Sequence, residues 1–238
     1  MSKTPHLIIN KHEVALFPKD FYISDLNSLL EEIKQNVKVF NDGINTIIPV
    51  PNDAPRDIPR ILLRSKDSSI GCNISFNKIN IFWLNTKEKT IFKIPIIDIQ
   101  NLTEKLSSII LPLTPIKKVK RVGYINEFFY ESENPVRLIE GKTIYKRVTK
   151  KLKDFAFRFT YKLELKIHLN CNKVITINSR GKKQTEEKKV IMLMDDINTS
   201  QRDDVNWGIQ EIKNFIKEAD KKIDKSVLMK SFFNLDES

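Results

Sequence analysis

Residues 155–169, FAFRFTYKLELKIHL, repeat with a period of two. Phe155, Phe157, Phe159, Tyr161, Leu163, Leu165, Ile167 and Leu169 hold alternate positions; Arg158, Lys162, Glu164, Lys166 and His168 fall between them. A helix, with 3.6 residues per turn, would scatter such a set around its axis, whereas a strand gathers it on one side. The segment therefore reads as a long half-buried strand, and its dry side needs a cover.

The cover is sought in 189–229. Val190, Met192 and Met194 alternate with Ile191 and Leu193, a run apolar on both sides, as in a central strand or a buried helical segment. Asp195 and Asp196 are expected to end that run, with Asn198, Thr199 and Ser200 supplying turn and cap chemistry. Asp203 or Asp204 then opens a predicted helix, the longest in the chain. Its apolar residues Val205, Ile209, Ile212, Ile216, Ala219, Ile223 and Val227 are spaced by three or four. Trp207 falls off this stripe, and Phe215, Phe232 and Phe233 widen it. Core packing is the first reading, with self-association through the helix as a further expectation.

From the start, 6–17 reads as a strand bent at Asn10-Lys11 and ended by Pro18. Ser24 is the expected cap of a helix over 25–38, with Leu26, Leu29, Leu30, Ile33 and Val37 on one face. The Pro-rich 47–60 reads as an extended connection. Strands at 60–66, 70–76, 78–85 and 89–94 make an antiparallel meander. A helix at 98–111 buries Ile99, Leu102, Leu106, Ile109 and Ile110, and Pro112 stops it. A strand at 119–130 and, after a turn at Asn170-Cys171-Asn172, one at 173–178 complete the second half. The fold class is α+β, mostly antiparallel sheet, as two meanders or one sheet, with about three principal helices. The boundary falls between 1–96 and 97–238, as two halves or one continuous domain.

The chain of 238 residues carries +11 and a 40% hydrophobic content, enough for a core and a bias toward acidic partners. A Lys-rich surface without function gives the same sum. Cys72 and Cys171 read first as buried thiols of a reduced protein, with a disulfide between them as the alternative. No leader pattern or transmembrane-length run is seen, so a cytoplasmic protein is expected.

Basic residues cluster at Lys117, Lys118, Lys120 and Arg121, and most densely at Lys142, Lys146, Arg147, Lys150, Lys151 and Lys153, with Arg180, Lys182 and Lys183 in a further loop. With nearby tyrosines these fit nucleic acid, whose phosphates take cations and whose bases stack on rings. The rival is a metal-dependent nuclease using Asp195, Asp196, Asp203 and Asp204, because hard cations take oxygen ligands. Those same acids are what strand ends and helix starts attract for structural reasons. His6, His12 and His168 are scattered and read as surface residues. No cofactor is implied, and no phosphate-cradling glycine loop is present.

Two short features remain. Ala54-Pro55-Arg56 precedes the meander running to Trp83, and Asp196-Ile197-Asn198-Thr199 leads toward the last helix. In this order they resemble a sporadically distributed, functionally uncharacterised prokaryotic protein family, although the last helix lacks that family's His-rich start. The resemblance implies prokaryotic origin, and its patchy distribution fits mobile-element or defence cargo. The expected function is a non-catalytic accessory protein contacting nucleic acid or a nucleoprotein complex through a basic face. The alternatives are the nuclease and a protein–protein adaptor whose charge is incidental.

Overall fold

The structure, a computed structural model, describes residues 7–18, 21–51, 53–86, 96–113, 117–132, 156–166, 169–181, 189–199 and 207–223. The described strands are β1 (Leu7–Pro18), β2 (Asn45–Ile47), β3 (Ile61–Arg64), β4 (Ile70–Ile74), β5 (Ile79–Leu84), β6 (Val119–Ser132), β7 (Ala156–Leu165), β8 (Leu169–Gly181) and β9 (Lys189–Thr199). They form one nine-stranded sheet in the order β2-β3-β4-β5-β1-β6-β9-β8-β7, with every pairing antiparallel. The described helices are α1 (Leu26–Asn36), α2 (Ile96–Ile110) and α3 (Ile209–Lys221). The fold is α+β. The longest described helix is α2, with 15 residues, ahead of α3 with 13.

β1 sits in the middle, paired with β5 on one edge and β6 on the other. The bend expected at Asn10-Lys11 is a β-bulge, where the register with β6 slips. Ile9 therefore faces the same side as His12, Val14 and Leu16, while Lys11, Glu13, Ala15 and Phe17 face the other. The register carries this division across the sheet. Ile79, Ile81, Trp83, Val122, Tyr124, Phe128, Ile191, Leu193 and Ile197 share the first side and are all buried.

The helices lie on that side. α1 and α2 touch, α2 touches α3, and Tyr124 donates a hydrogen bond to Asp220 on α3 at 2.8 Å. α2 buries Ile99, Leu102, Leu106, Ile109 and Ile110, the face its spacing predicted. On α3, Ile212, Phe215, Ile216 and Ala219 are buried, and Gln210, Glu211, Asn214, Lys217 and Lys221 are exposed. Each branched aliphatic or phenyl side chain buried here contributes roughly 1.5–3 kcal/mol, the main force holding helices to sheet.

Several boundaries differ from expectation. β9 does not stop at Asp195 but runs to Thr199, because both its edges are paired. Inside the sheet Asp195 and Asp196 cannot turn the chain. α3 starts at Ile209 with Gly208 as its N-cap, and Trp207 pairs with Val119 as an isolated bridge. Trp207 is 2% exposed and packs edge-on against Phe215, their ring centres 5.8 Å apart. Trp207, off the stripe, and Phe215, beside it, are thus core. The cap of α1 is Asp25, which accepts from Ser28 N at 3.0 Å, one residue past Ser24. A short strand not expected from the sequence, β2, ends at Ile47, where the Pro-rich connection was expected to begin. β8 is continuous from Leu169 to Gly181, with no turn at Asn170–Asn172 and with Arg180 on the strand. The strand expected at 89–94 and the residues Asp203, Asp204, Val205, Val227, Phe232 and Phe233 lie outside the described residues, as do Lys182 and Lys183.

Candidate nucleic-acid interface

The strand pleat deals acids and bases to opposite sides of the sheet, and this decides what each can do. On the helix-covered side a polar row crosses the core: His12 of β1, Asn126 of β6 and Asp195 of β9 are register partners in turn, each 0% exposed. His12 Nδ1 and Asn126 Oδ1 are 2.5 Å apart, and the imidazole stands edge-on to the Tyr124 ring with 4.6 Å between centres. Lys173 of β8 places Nζ 2.9 Å from Asp195 Oδ2 and donates to the Lys222 carbonyl at 2.9 Å. Burial raises the Asp195 pKa, and the Lys173 ammonium pulls it partly back. The surface role expected for His12 is therefore overturned: position 12 faces the helices. His6 and His168 lie outside the described residues.

Asp196 faces the other way. Its pKa is raised, chiefly by burial, while Asn198, Arg121 and Arg158 oppose the shift and Glu13 adds to it. Asp195 and Asp196 are neighbours in one strand and project through opposite faces, so they cannot ligate one ion together. Among the described residues no group of three or more His, Cys, Asp or Glu is placed to hold a metal.

No described helix covers the second side. From β3 through β5 and β1 to β6 it carries two rings with cations beside them. Phe17 lies opposite Arg121 in the register of β1 with β6. Arg121 Cζ is 4.9 Å from the Phe17 ring centre, and Lys78 Nζ is 5.6 Å from it. Phe82 is flanked in the same way, by Arg64 at 4.8 Å and Lys11 at 5.7 Å. Its ring has room because position 71 is glycine: a Cβ there would stand 2.4 Å from Phe82 Cζ. Arg64 Nη1 also donates to Asn73 Oδ1 at 2.8 Å, which fixes the guanidinium beside the ring. Further along this side, Arg158 and Lys162 of β7 are exposed.

Carboxylates interrupt the positive charge. Glu13 pairs with Lys11 and lies 3.9 Å from Lys78 Nζ. Glu127 accepts from Asn10 Nδ2 at 2.5 Å. Among the described residues of this side the cations Lys11, Arg64, Lys78, Arg121, Arg158 and Lys162 outnumber the acids Glu13, Glu127, Asp196 and Glu164. Lys117, Lys118 and Lys120 are exposed at the entry to β6, where Lys117 adopts a positive φ of 51°.

Of the basic residues expected from sequence, the structure thus brings Arg121 onto the ring-bearing face and leaves Lys117, Lys118 and Lys120 at its margin. Lys142, Lys146, Arg147, Lys150, Lys151 and Lys153 lie outside the described residues. Phe17, Phe82, Lys11, Arg64 and Lys78 went unnoticed because they are far apart in sequence and only strand pairing makes them neighbours. The buried thiols expected at positions 72 and 171 are present and unbridged; burial pushes Cys72 up and Cys171 up to about 11. No described helix is long and apolar enough to cross a membrane.

No protein-family model matches the chain, and no curated protein matches it. Among solved structures it overlaps a rolling circle replication initiator protein from Geobacillus stearothermophilus at 7% identity, over 98% of this chain and 88% of that one. The TM-score is 0.28, too low for that overlap to bear on fold or function.

Proposed function

We propose that the chain is a non-catalytic accessory protein that binds single-stranded nucleic acid across the side of its sheet that no described helix covers. The observation that carries this reading is the pair of phenyl rings, half-buried Phe17 and buried Phe82, each flanked by two cations on the same side of the sheet. Arginine laid over a ring offers its outer plane to a base and its N–H groups to phosphate. A sheet face with such groups accepts splayed bases, which a duplex does not present. The overall charge of +11 adds long-range attraction for a polyanion. A mobile-element or defence setting follows only from the family resemblance.

The test is fluorescence anisotropy with labelled single-stranded DNA and RNA. Binding is expected to weaken steeply between about 50 and 200 mM salt. Replacing Arg121 and Lys78 together by alanine is expected to lower the salt slope by about 2 as well as the affinity. Absent or salt-insensitive binding would remove the proposal.

A second reading has its own observation. β7 is the last strand of the described sheet, and on the side facing the helices Phe159 and Tyr161 are 38% and 48% exposed. An edge with exposed rings suits strand addition by another protein. In that case a partner would co-purify undiminished from nuclease-treated lysate.

A further inference from the structure

Arg60, the residue before β3, is 2% exposed. One nitrogen is accounted for: Nη1 donates to the carbonyls of Val50 at 2.9 Å and Pro51 at 3.2 Å, and the guanidinium lies 4.7 Å over Phe76. Nε and Nη2 are buried with no hydrogen-bond partner, and no described carboxylate pairs with the charge. Leaving two donors of a buried cation unmet is costly, and such groups are normally answered by an acceptor. Arg60 lines a cavity of ≈ 320 Å³ between the start of α1 and the end of β2. The other walls include Tyr22, Phe76, Ile47, Ile48 and Asp25.

We propose that this cavity is a binding site for a small monocarboxylate with an aromatic or branched apolar body, held side-on by Arg60 Nε and Nη2 once that buried edge of the guanidinium turns toward it. The two nitrogens form the edge of guanidinium that meets both oxygens of a carboxylate at once. The rings of Tyr22 and Phe76, 5.4 Å apart, and the two isoleucines receive the body. The volume is at the small end for ligand cavities and suits a ligand of one ring.

Asp25 sets the charge of the ligand. Its oxygens accept from Ser28 N at 3.0 Å and Ser28 Oγ at 2.6 Å, which holds its pKa below the usual carboxylate range. It is therefore ionised at neutral pH and already serves the N-terminus of α1, so that terminus has little left to offer an anion. A fixed negative charge in the wall tolerates a single opposing carboxylate better than a phosphate dianion. The site does not depend on the nucleic-acid reading and lies apart from Phe17 and Phe82.

Isothermal titration of the full chain with benzoate, benzamide and inorganic phosphate tests it. Benzoate is expected to bind, and its neutral isostere benzamide and phosphate are not. Arg60→Gln is expected to weaken benzoate at least about tenfold. Asp25→Asn keeps a good cap and is expected to tighten benzoate about fivefold and to admit phosphate. Since Arg60 also clamps the 50–51 backbone, Asp25→Asn and the benzamide comparison carry the test if Arg60→Gln does not fold. No benzoate binding at about 10 mM, equal binding of benzamide, or no tightening in Asp25→Asn would each overturn the proposal.

Discussion

At the scale of single residues, Asp195 is a buried carboxylate inside the sheet, with the Lys173 ammonium 2.9 Å away. Asp195 and Asp196 look like a pair; the pleat makes one a buried partner of Lys173 and the other a member of the opposite face. His12 has no neighbour in sequence that marks it as buried, and its partner Asn126 lies 114 positions away. The ion pair gives a direct expectation. Removing the ammonium in Lys173→Met strands a carboxylate in the core, which should cost about 3 kcal/mol near pH 7. Burial already holds the Asp195 pKa above the usual 3.8, and losing Lys173 removes a group that lowers it. The folded state then keeps a proton that the unfolded chain has released, so stability falls as pH rises out of the ordinary carboxylate range. The deficit of Lys173→Met in urea unfolding should therefore be largest near neutrality and shrink as the pH is lowered toward about 4. A pH-independent deficit would mean that Asp195 plays no part in it.

Among elements, the alternating strands and the 3.6-period helices were legible, and the segments whose fate depends on pairing were not. β4, β5, β6, α1 and α2 stand close to their predicted spans, and the five apolar residues of α2 are buried as their spacing implies. β2 was hidden because proline chemistry dominates 49–59, while Asn45–Ile47 extends only by pairing with β3. β9 outran its apolar stretch because β6 and β8 pair both of its edges through Asp196. Gly71 had no visible reason in the sequence; the Phe82 ring over β4 supplies it. Gly71→Ala should push that ring away from Arg64 and destabilise the protein by about 1–3 kcal/mol in chemical denaturation, as overpacking does. A neutral effect would show that Phe82 can move aside at no cost, and the ring platform would then be soft.

Over the whole molecule, β1 is what makes the two sequence halves share a sheet. It belongs to 1–96 yet pairs along its length with β6 of 97–238, and α2, which follows the boundary, packs on both α1 and α3. Each half alone would expose an edge of β1 or β6 together with core residues such as Val14 and Tyr124, both 0% exposed in the full chain. We expect fragments 1–96 and 97–238 to be unfolded separately, and the intact chain to unfold in one transition by circular dichroism. Two resolved transitions, or a folded fragment, would mean two domains. The same arrangement brings Phe17 of β1, Phe82 of β5 and Arg121 of β6 onto one side, which no local reading of sequence could have assembled. The most direct test of that face is NMR of phenylalanine-labelled protein titrated with a single-stranded oligonucleotide. The ring signals of Phe17 and Phe82 should shift while those of Phe21 and Phe40, buried among the core residues, stay in place. Shifts confined to other rings, or none at oligonucleotide saturation, would contradict the assignment of the sheet side bearing Phe17 and Phe82 as the binding surface.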